Sequence, residues 1–358
     1  MTAITRDGIL KALQHLLAPE VAMGVAISDE RNGAKVALTL EIDPAKAEQM
    51  EPVAREAEKI IGAMKGVAQA SVVLTAHKSA PKLAPQARPE RKQEKISLPG
   101  VKNIIAVASG KGGVGKSTTS VNLAIALKQN GLKVGLLDAD IYGPSIPRMM
   151  NLKGKPQTTD DKKMVPMQRY GISVMSMGFL IAEDAPMIWR GPMVHSAITQ
   201  MFRDVAWGEL DVLVVDLPPG TGDAQLTMAQ SVDLTGAVIV STPQDIALID
   251  ARKGLNMFRR VDVPVFGMIE NMSYFLCPHC GERSDIFGHG GARDEAKTLD
   301  VPFLGEIPLN IVVREASDSG LPIVEAQPEG AFAEAYRGIA EEIWLHSRGS
   351  EAAAKAVS

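Results

Sequence analysis

Cysteine is scarce: this chain of 358 residues has two, Cys277 and Cys280. Two thiols cannot build the bridged framework of a small secreted domain, and such economy suits a reducing compartment. Long apolar runs are missing as well, since no stretch approaches the roughly 20 apolar residues that cross a bilayer. Neither charge dominates. Lys and Arg number 38 against 42 Asp and Glu, a formal charge of −4, which gives no global reason to expect nucleic acid or anionic lipid as partner. The opening MTAITRDGILKALQHLLAPE carries Asp7 and polar breaks, so it reads as an amphipathic helix and not as a signal peptide. These absences predict a cytoplasmic protein with no membrane or nucleic-acid partner.

What is present begins with apolar material, 46% of the chain, enough for a sizeable core. The length suggests two or three domains, although one large α/β domain can absorb much of it. The most informative stretch is 103–129. A short apolar run, IIAVA, has the composition of a buried parallel strand. It leads into Gly110-Lys111-Gly112-Gly113-Val114-Gly115-Lys116-Ser117, which fits the phosphate-loop pattern G-x-x-x-x-G-K-[ST]. A helix is expected from Ser120 to Gln129, with Gly131 at its C-terminal cap. The four glycines let successive backbone N–H groups turn toward phosphate oxygens, and the helix start adds partial positive charge. Lys116 reaches the β- and γ-phosphates, and the Ser117 hydroxyl completes a Mg²⁺ shell.

Two further aspartate-ended strands follow. Leu136-Leu137-Asp138-Ala139-Asp140 delivers two carboxylates, and Val212-Leu213-Val214-Val215-Asp216 delivers one in the manner of a Walker-B strand holding Mg²⁺, often through water. The turn Leu217-Pro218-Pro219-Gly220-Thr221-Gly222-Asp223 is suited to sensing the γ-phosphate through backbone contacts. The guanine-reading N-K-x-D pattern is absent from the late region. Instead Asn271 ends a strand with an amide suited to an adenine edge, or to capping that strand end. Residues 307–310 are expected to form the other wall of that pocket. Finally, Cys277-Pro278-His279-Cys280 places two thiols at the spacing of one edge of a metal site. By itself such a pair is a redox couple, a zinc clip, half of a larger site, or chance.

Ser109 to Thr118, with the extra Lys111, resembles the deviant phosphate loop of the SIMIBI ATPases, and DLPPGTGD and ENMSYFLCPHCGERSDIFGHGGA are similar to the second switch and cluster segment of the Mrp/ApbC iron–sulfur carriers. The resemblance spans about 100–347. It implies that Gly110, Lys111, Gly112, Gly113, Val114, Gly115, Lys116, Ser117 and Thr118 bind ATP, with Asn271 on the adenine. It implies that Lys111 acts across a dimer interface, where a solvated loop lysine is the alternative from the residues alone. Asp140 would orient the attacking water, and Ser117, Asp138 and Asp216 would hold Mg²⁺, partly through water. Cys277 and Cys280 would bind a 4Fe-4S cluster shared by two copies. The activity implied is ATP hydrolysis coupled to cluster transfer, with apo iron–sulfur proteins and a cluster-assembly scaffold as partners. The rival classes are a partition- or septum-type positioning ATPase, which calls for a basic surface or an amphipathic C-terminal helix, and a zinc-stabilised scaffold. A reductase like the nitrogenase iron protein takes its ligands from two separated cysteines, not an adjacent pair. Trp189-Arg190-Gly191-Pro192 is also similar to this family.

The expected fold is α/β: a mostly parallel, doubly wound P-loop sheet. Strand signals recur near 104–108, 133–137, 173–177, 212–215, 237–241, 265–269 and 302–304, with helices between them such as 192–206 and 245–261. Ahead of it, residues 1–76 read α-β-β-α-β, a small α+β domain. Thr5 caps its first helix, Lys35 to Ile42 alternates as a strand, and Asp43-Pro44 opens its second helix. This unit resembles the small assembly domain that precedes the ATPase in many iron–sulfur carriers. It has no cysteine where that family often has one, and its histidine His15, like His77 just past it, reads as a surface residue, which points to partner docking. Residues 77–99 hold four prolines, Pro99 included, and many charges, the composition of an extended linker. Residues 348–358 read as a flexible tail.

Overall fold

The structure, a computed structural model, describes residues 4–16, 23–30, 33–42, 47–76, 95–180, 191–277 and 279–357. The Asp43-Pro44 helix start, His77, most of the proposed linker and Trp189-Arg190 lie outside the described residues. The chain divides into two compact units, Met1–Arg91 and Lys92–Ser358.

The first unit runs α1 (Arg6–Leu13), β1 (Met23–Glu30), β2 (Gly33–Ile42), α2 (Ala47–Gly62) and β3 (Val67–Ala76). Thr5 caps α1, its hydroxyl accepting the Gly8 N–H at 3.3 Å. β2 pairs antiparallel with β1 and parallel with β3. Its alternation turns Val36, Leu38, Leu40 and Ile42 onto Ile9 and Leu13 of α1 and Ala57 and Ile61 of α2. Each large side chain buried there contributes about 1.5–3 kcal/mol.

The second unit begins with β4 (Val101–Ala108), α3 (Lys116–Gln129), β5 (Val134–Asp138), α4 (Ile146–Met149), β6 (Met167–Arg169), β7 (Ile172–Ser176) and α5 (Gly191–Arg203). It continues through β8 (Leu210–Asp216), α6 (Asp223–Ser231), β9 (Gly236–Ser241), α7 (Asp245–Arg260), β10 (Val265–Leu276), β11 (Arg283–Ser284) and α8 (Gly291–Thr298). It closes with β12 (Phe303–Leu309), α9 (Ile311–Ser319), α10 (Ile323–Ala326) and α11 (Ala331–Val357). The sheet order is β11-β10-β9-β4-β8-β5-β7-β6, with β12 on β10. All pairings are parallel except β6 with β7 and β10 with β11. β4 lies between β8 and β9, so the chain departs from it toward both sides of the sheet, and the crevice at its carboxyl end is where such folds bind ligands. Ile105 to Ala108, Val212 to Val215 and Ala237 to Val240 are buried on both faces, which is why these strands read as unbroken apolar runs.

Three features differ from the sequence expectation. β10 does not stop near residue 269 or at Asn271 but continues to Leu276, bending where Met272 adopts φ 57° and the register with β12 shifts. β6 and β11 are three and two residues long, too short to leave a periodic signal. Residues 348–357 lie within α11, not in a separate tail. Among the described residues no helix is long and apolar enough to cross a membrane.

Candidate functional site

The phosphate loop spans the gap between β4 and α3. α3 begins at Lys116, not at Ser120 as expected, so Lys116, Ser117 and Thr118 form its first turn, where backbone N–H groups have no partner within the helix. Neither Gly112 nor Gly113 has any atom closer than 3.9 Å to where a Cβ would stand, and Gly113 sits at φ 83°, leaving an open cradle of backbone. The other two glycines answer to packing. A Cβ on Gly110 would lie 2.1 Å from the Asp250 backbone of α7, and one on Gly115 would lie 2.1 Å from Asn271 Nδ2. Lys111 is exposed at the outer edge of the loop, its carbonyl accepting the Ser109 hydroxyl at 3.0 Å.

Beneath the cradle the polar side chains converge. Lys116 Nζ lies 2.7 Å from Asp216 Oδ2 and 3.9 Å from Asp140 Oδ2. Ser117 and Ser120 donate to the two oxygens of Asp216, each at 2.6 Å. Asp138 is turned away from this group: it accepts from Ser176 at 2.9 Å, from the Ile146 N–H at 3.1 Å and from the Asp140 N–H at 3.2 Å. The last of these bonds starts the turn that re-aims the second acid. Asp140 in turn accepts the N–H groups of Tyr142 and Gly143. Burial first, and the nearby Asp216 second, push the Asp138 carboxyl up to about 7. Burial also raises Asp140, opposed chiefly by Lys116.

The turn after β8 is fastened to the loop. Gly220 donates its N–H to the Ser109 carbonyl at 3.0 Å, and the buried amide of Gln225 donates to the carbonyls of Ser109 and Pro218. Gln225 left no trace in the sequence reading, because a glutamine on a short helix has no motif around it.

Beside the cradle is a cavity of about 400 Å³, lined by Gly115, Thr118, Asn271, Pro308, Asn310 and Arg314 among others. Asn271 and residues 308–310, expected as two walls of one pocket, therefore meet here. The Asn271 amide donates to the Val114 carbonyl at 2.8 Å, so the side chain that lines the cavity also holds the phosphate loop.

The cysteines lie at the far end of the same strand. β10 ends at Leu276, Cys277 follows, and β11 returns through Arg283, paired with Leu276. The turn is closed by the Cys277 N–H on the Glu282 carbonyl at 2.9 Å and the Gly281 N–H on the Cys277 carbonyl at 2.8 Å. Cys277 is partly exposed and Cys280 exposed. The backbone N–H groups of Cys280 and then His279, with the Cys280 side chain, hold the Cys277 thiol below its ordinary value. Such a thiol is already inclined to the thiolate that metals require.

Residues 100–344 match the family described as ParA, NUBPL iron-transfer P-loop NTPase. The iron-sulfur cluster transfer protein NUBPL of Dictyostelium discoideum is 58% identical over 251 residues, covering 70% of this chain and 78% of that protein. The iron-sulfur cluster carrier protein of Synechocystis is 45% identical over 350 residues, covering 95% and 97%. A nucleotide-binding protein of Archaeoglobus fulgidus, solved in complex with ADP and with Co found in it, aligns at a TM-score of 0.58 with 43% identity, covering 67% of this chain and 93% of that one. With the cradle, the acid cluster and the cysteine hairpin all inside the matched span, the chain belongs to the NUBPL iron-transfer P-loop NTPase family.

Proposed function

We propose that this protein is an ATP-hydrolysing carrier that holds a 4Fe-4S cluster between Cys277 and Cys280 of two copies and hands it to apo-proteins, receiving it from an assembly scaffold in the cytoplasm. The observation that carries this reading is the continuity of β10. One strand runs from Asn271, bonded to the phosphate loop, to the start of the cysteine turn. Relatives named as iron–sulfur carriers, and the Archaeoglobus fulgidus protein with its ADP, support the same assignment.

In this reading the cradle and the first turn of α3 bind the triphosphate, and Lys116 leaves Asp216 to meet the β- and γ-phosphates. The residues suit Mg²⁺: Ser117 and Asp216 place a hydroxyl and a carboxylate 2.6 Å apart under the cradle, with Asp138 behind them. Bound there, Mg²⁺ would neutralise charge on the phosphates. Asp140 orients the attacking water, Lys111 reaches the partner's nucleotide, and Asn271 reads adenine beside residues 308–310. Two thiols on one exposed turn supply half of a four-thiolate set, and a twofold axis supplies the rest. Residues 1–76 serve as a partner-docking unit on the 77–99 tether.

Anaerobic reconstitution tests the reading. One cluster per two chains, seen as iron content and a broad visible absorption, is expected, and the Cys277→Ala, Cys280→Ala variant should hold none. Zinc in place of iron, or iron undiminished in that variant, would sink it. Cluster release should also differ between ATP and a non-hydrolysable analogue.

A further inference from the structure

Beside the cysteine turn, three side chains converge that the ATPase chemistry does not use. Glu270 on β10 and Glu306 on β12 are direct register partners on neighbouring parallel strands. Like charges so placed repel unless a cation lies between them. His289, in the loop before α8, brings Nδ1 to 4.0 Å from Glu270 Oε1 and 3.8 Å from Glu306 Oε2. Together they form a His/Glu/Glu group whose ligand atoms all lie within 4.8 Å of one another.

The hydrogen bonds are short of protons. Ser273 Oγ is 2.6 Å from Glu270 Oε1, 3.0 Å from Glu306 Oε2 and 3.2 Å from His289 Nδ1. A hydroxyl has one proton to donate, so it cannot serve all three. Arg283 Nη2 lies 2.6 Å from the same Nδ1. A guanidinium only donates, so Nδ1 is an acceptor, the form in which imidazole binds metals. Arg283 is the one cation in these contacts, and it is shared with Asp285 at 3.0 Å. Glu270 also accepts the N–H groups of Gly290 and Ala292, which fixes its position and leaves its charge only partly offset.

We infer that Glu270, His289 and Glu306 form a second metal site, separate from the cysteines, that takes a divalent first-row transition ion. One imidazole and two carboxylates suit Zn²⁺ or Fe²⁺. Ligand atoms about 2.1 Å from a tetrahedral ion stand about 3.4 Å from each other, so the two His289 separations need to close by only roughly half an ångström and the two carboxylates by at most about 1.4 Å. Arg283 stands where the ion's charge would act. An ion entering the group displaces that guanidinium from His289, and because Arg283 belongs to β11, the change is felt on the return strand of the cysteine turn. The inference does not depend on whether the cysteines carry iron–sulfur or zinc.

The test is Zn²⁺ binding to the full chain carrying Cys277→Ser and Cys280→Ser, measured by calorimetry with Mg²⁺ in excess. One site per chain is expected. Adding His289→Ala, or Glu306→Gln, should weaken that site by roughly 100-fold or more, whereas Arg283→Ala should tighten it by about tenfold by removing the competing cation. Glu270 is left alone because it caps α8. Absence of Zn²⁺ binding to the cysteine-free chain, or binding that His289→Ala and Glu306→Gln leave unchanged, overturns the site while leaving the carrier function standing.

Discussion

Lys116 Nζ and Asp216 Oδ2 stand 2.7 Å apart with almost no solvent at either side chain. A buried pair of this kind is costly to break from one side, about 3–5 kcal/mol, because the remaining charge is stranded. Lys116→Ala should therefore lower unfolding stability by about that much and abolish nucleotide binding. Adding Asp216→Asn should recover most of the stability and none of the binding. Denaturant titration beside nucleotide titration separates the two effects.

Asp138 predicts a pH dependence with a definite sign. Its carboxyl titrates near 7 in the folded protein and near 3.8 when unfolded. Between those values the folded state holds the extra proton, so stability falls as pH rises and levels off above about 7. Asp138→Asn should flatten that decline. Unfolding free energies of the two proteins, subtracted at each pH, give the difference directly, and parallel curves would contradict the assignment.

Asn271 has two duties, and two substitutions distinguish them. Asn271→Ala loses the bond to Val114 and should weaken ATP binding about 5–10-fold, in keeping with about 1 kcal/mol for one hydrogen bond. Asn271→Asp sets a carboxylate against the Val114 carbonyl and should do more damage. Equal affinities for the two variants would show that the loop contact does not matter.

Cys277 should titrate below an ordinary thiol. In a Cys280→Ala variant the backbone donors remain, so the alkylation rate of Cys277 should reach half-maximum below the ordinary value of 9.0. A midpoint at or above that value would remove the electrostatic argument for the turn.

Lys111 is exposed, and among the described residues no ion pair holds it, as a residue working on a partner would be. Lys111→Ala should keep ATP affinity and lose roughly 10³-fold in hydrolysis. Mixed with Asp140→Asn protein it should regain about a quarter of normal activity, since a mixed dimer restores one of its two sites. Two inactive variants that stay inactive when mixed would place Lys111 in its own site.

Much of the site was legible because its chemistry is local. The phosphate loop, the acids at the ends of β5 and β8 and the cysteine pair are each contiguous strings, and the structure brings the first two together at Lys116, Ser117 and Asp216. The reasons behind Gly110 and Gly115 were not legible: their neighbours are Asp250 and Asn271, far off in sequence, and only packing reveals them. His289 carries no local signal of its role, because Glu270, Ser273 and Glu306 reach it from two different strands. The extension of β10 past Asn271 was hidden by Met272, whose positive φ breaks the alternation that a sequence pattern relies on.

The cavity beside the cradle is assembled from distant parts of the chain. Asn122, on the helix that opens with Lys116, accepts the N–H of Val324, 202 positions later, while Pro308 to Asp318 supply one side of the cavity. During synthesis, then, the glycine cradle leaves the ribosome long before its facing wall exists. Closure of that cavity waits for residues 308–318, and a message cut short ahead of residue 308 yields a protein that has the fingerprint but no grip.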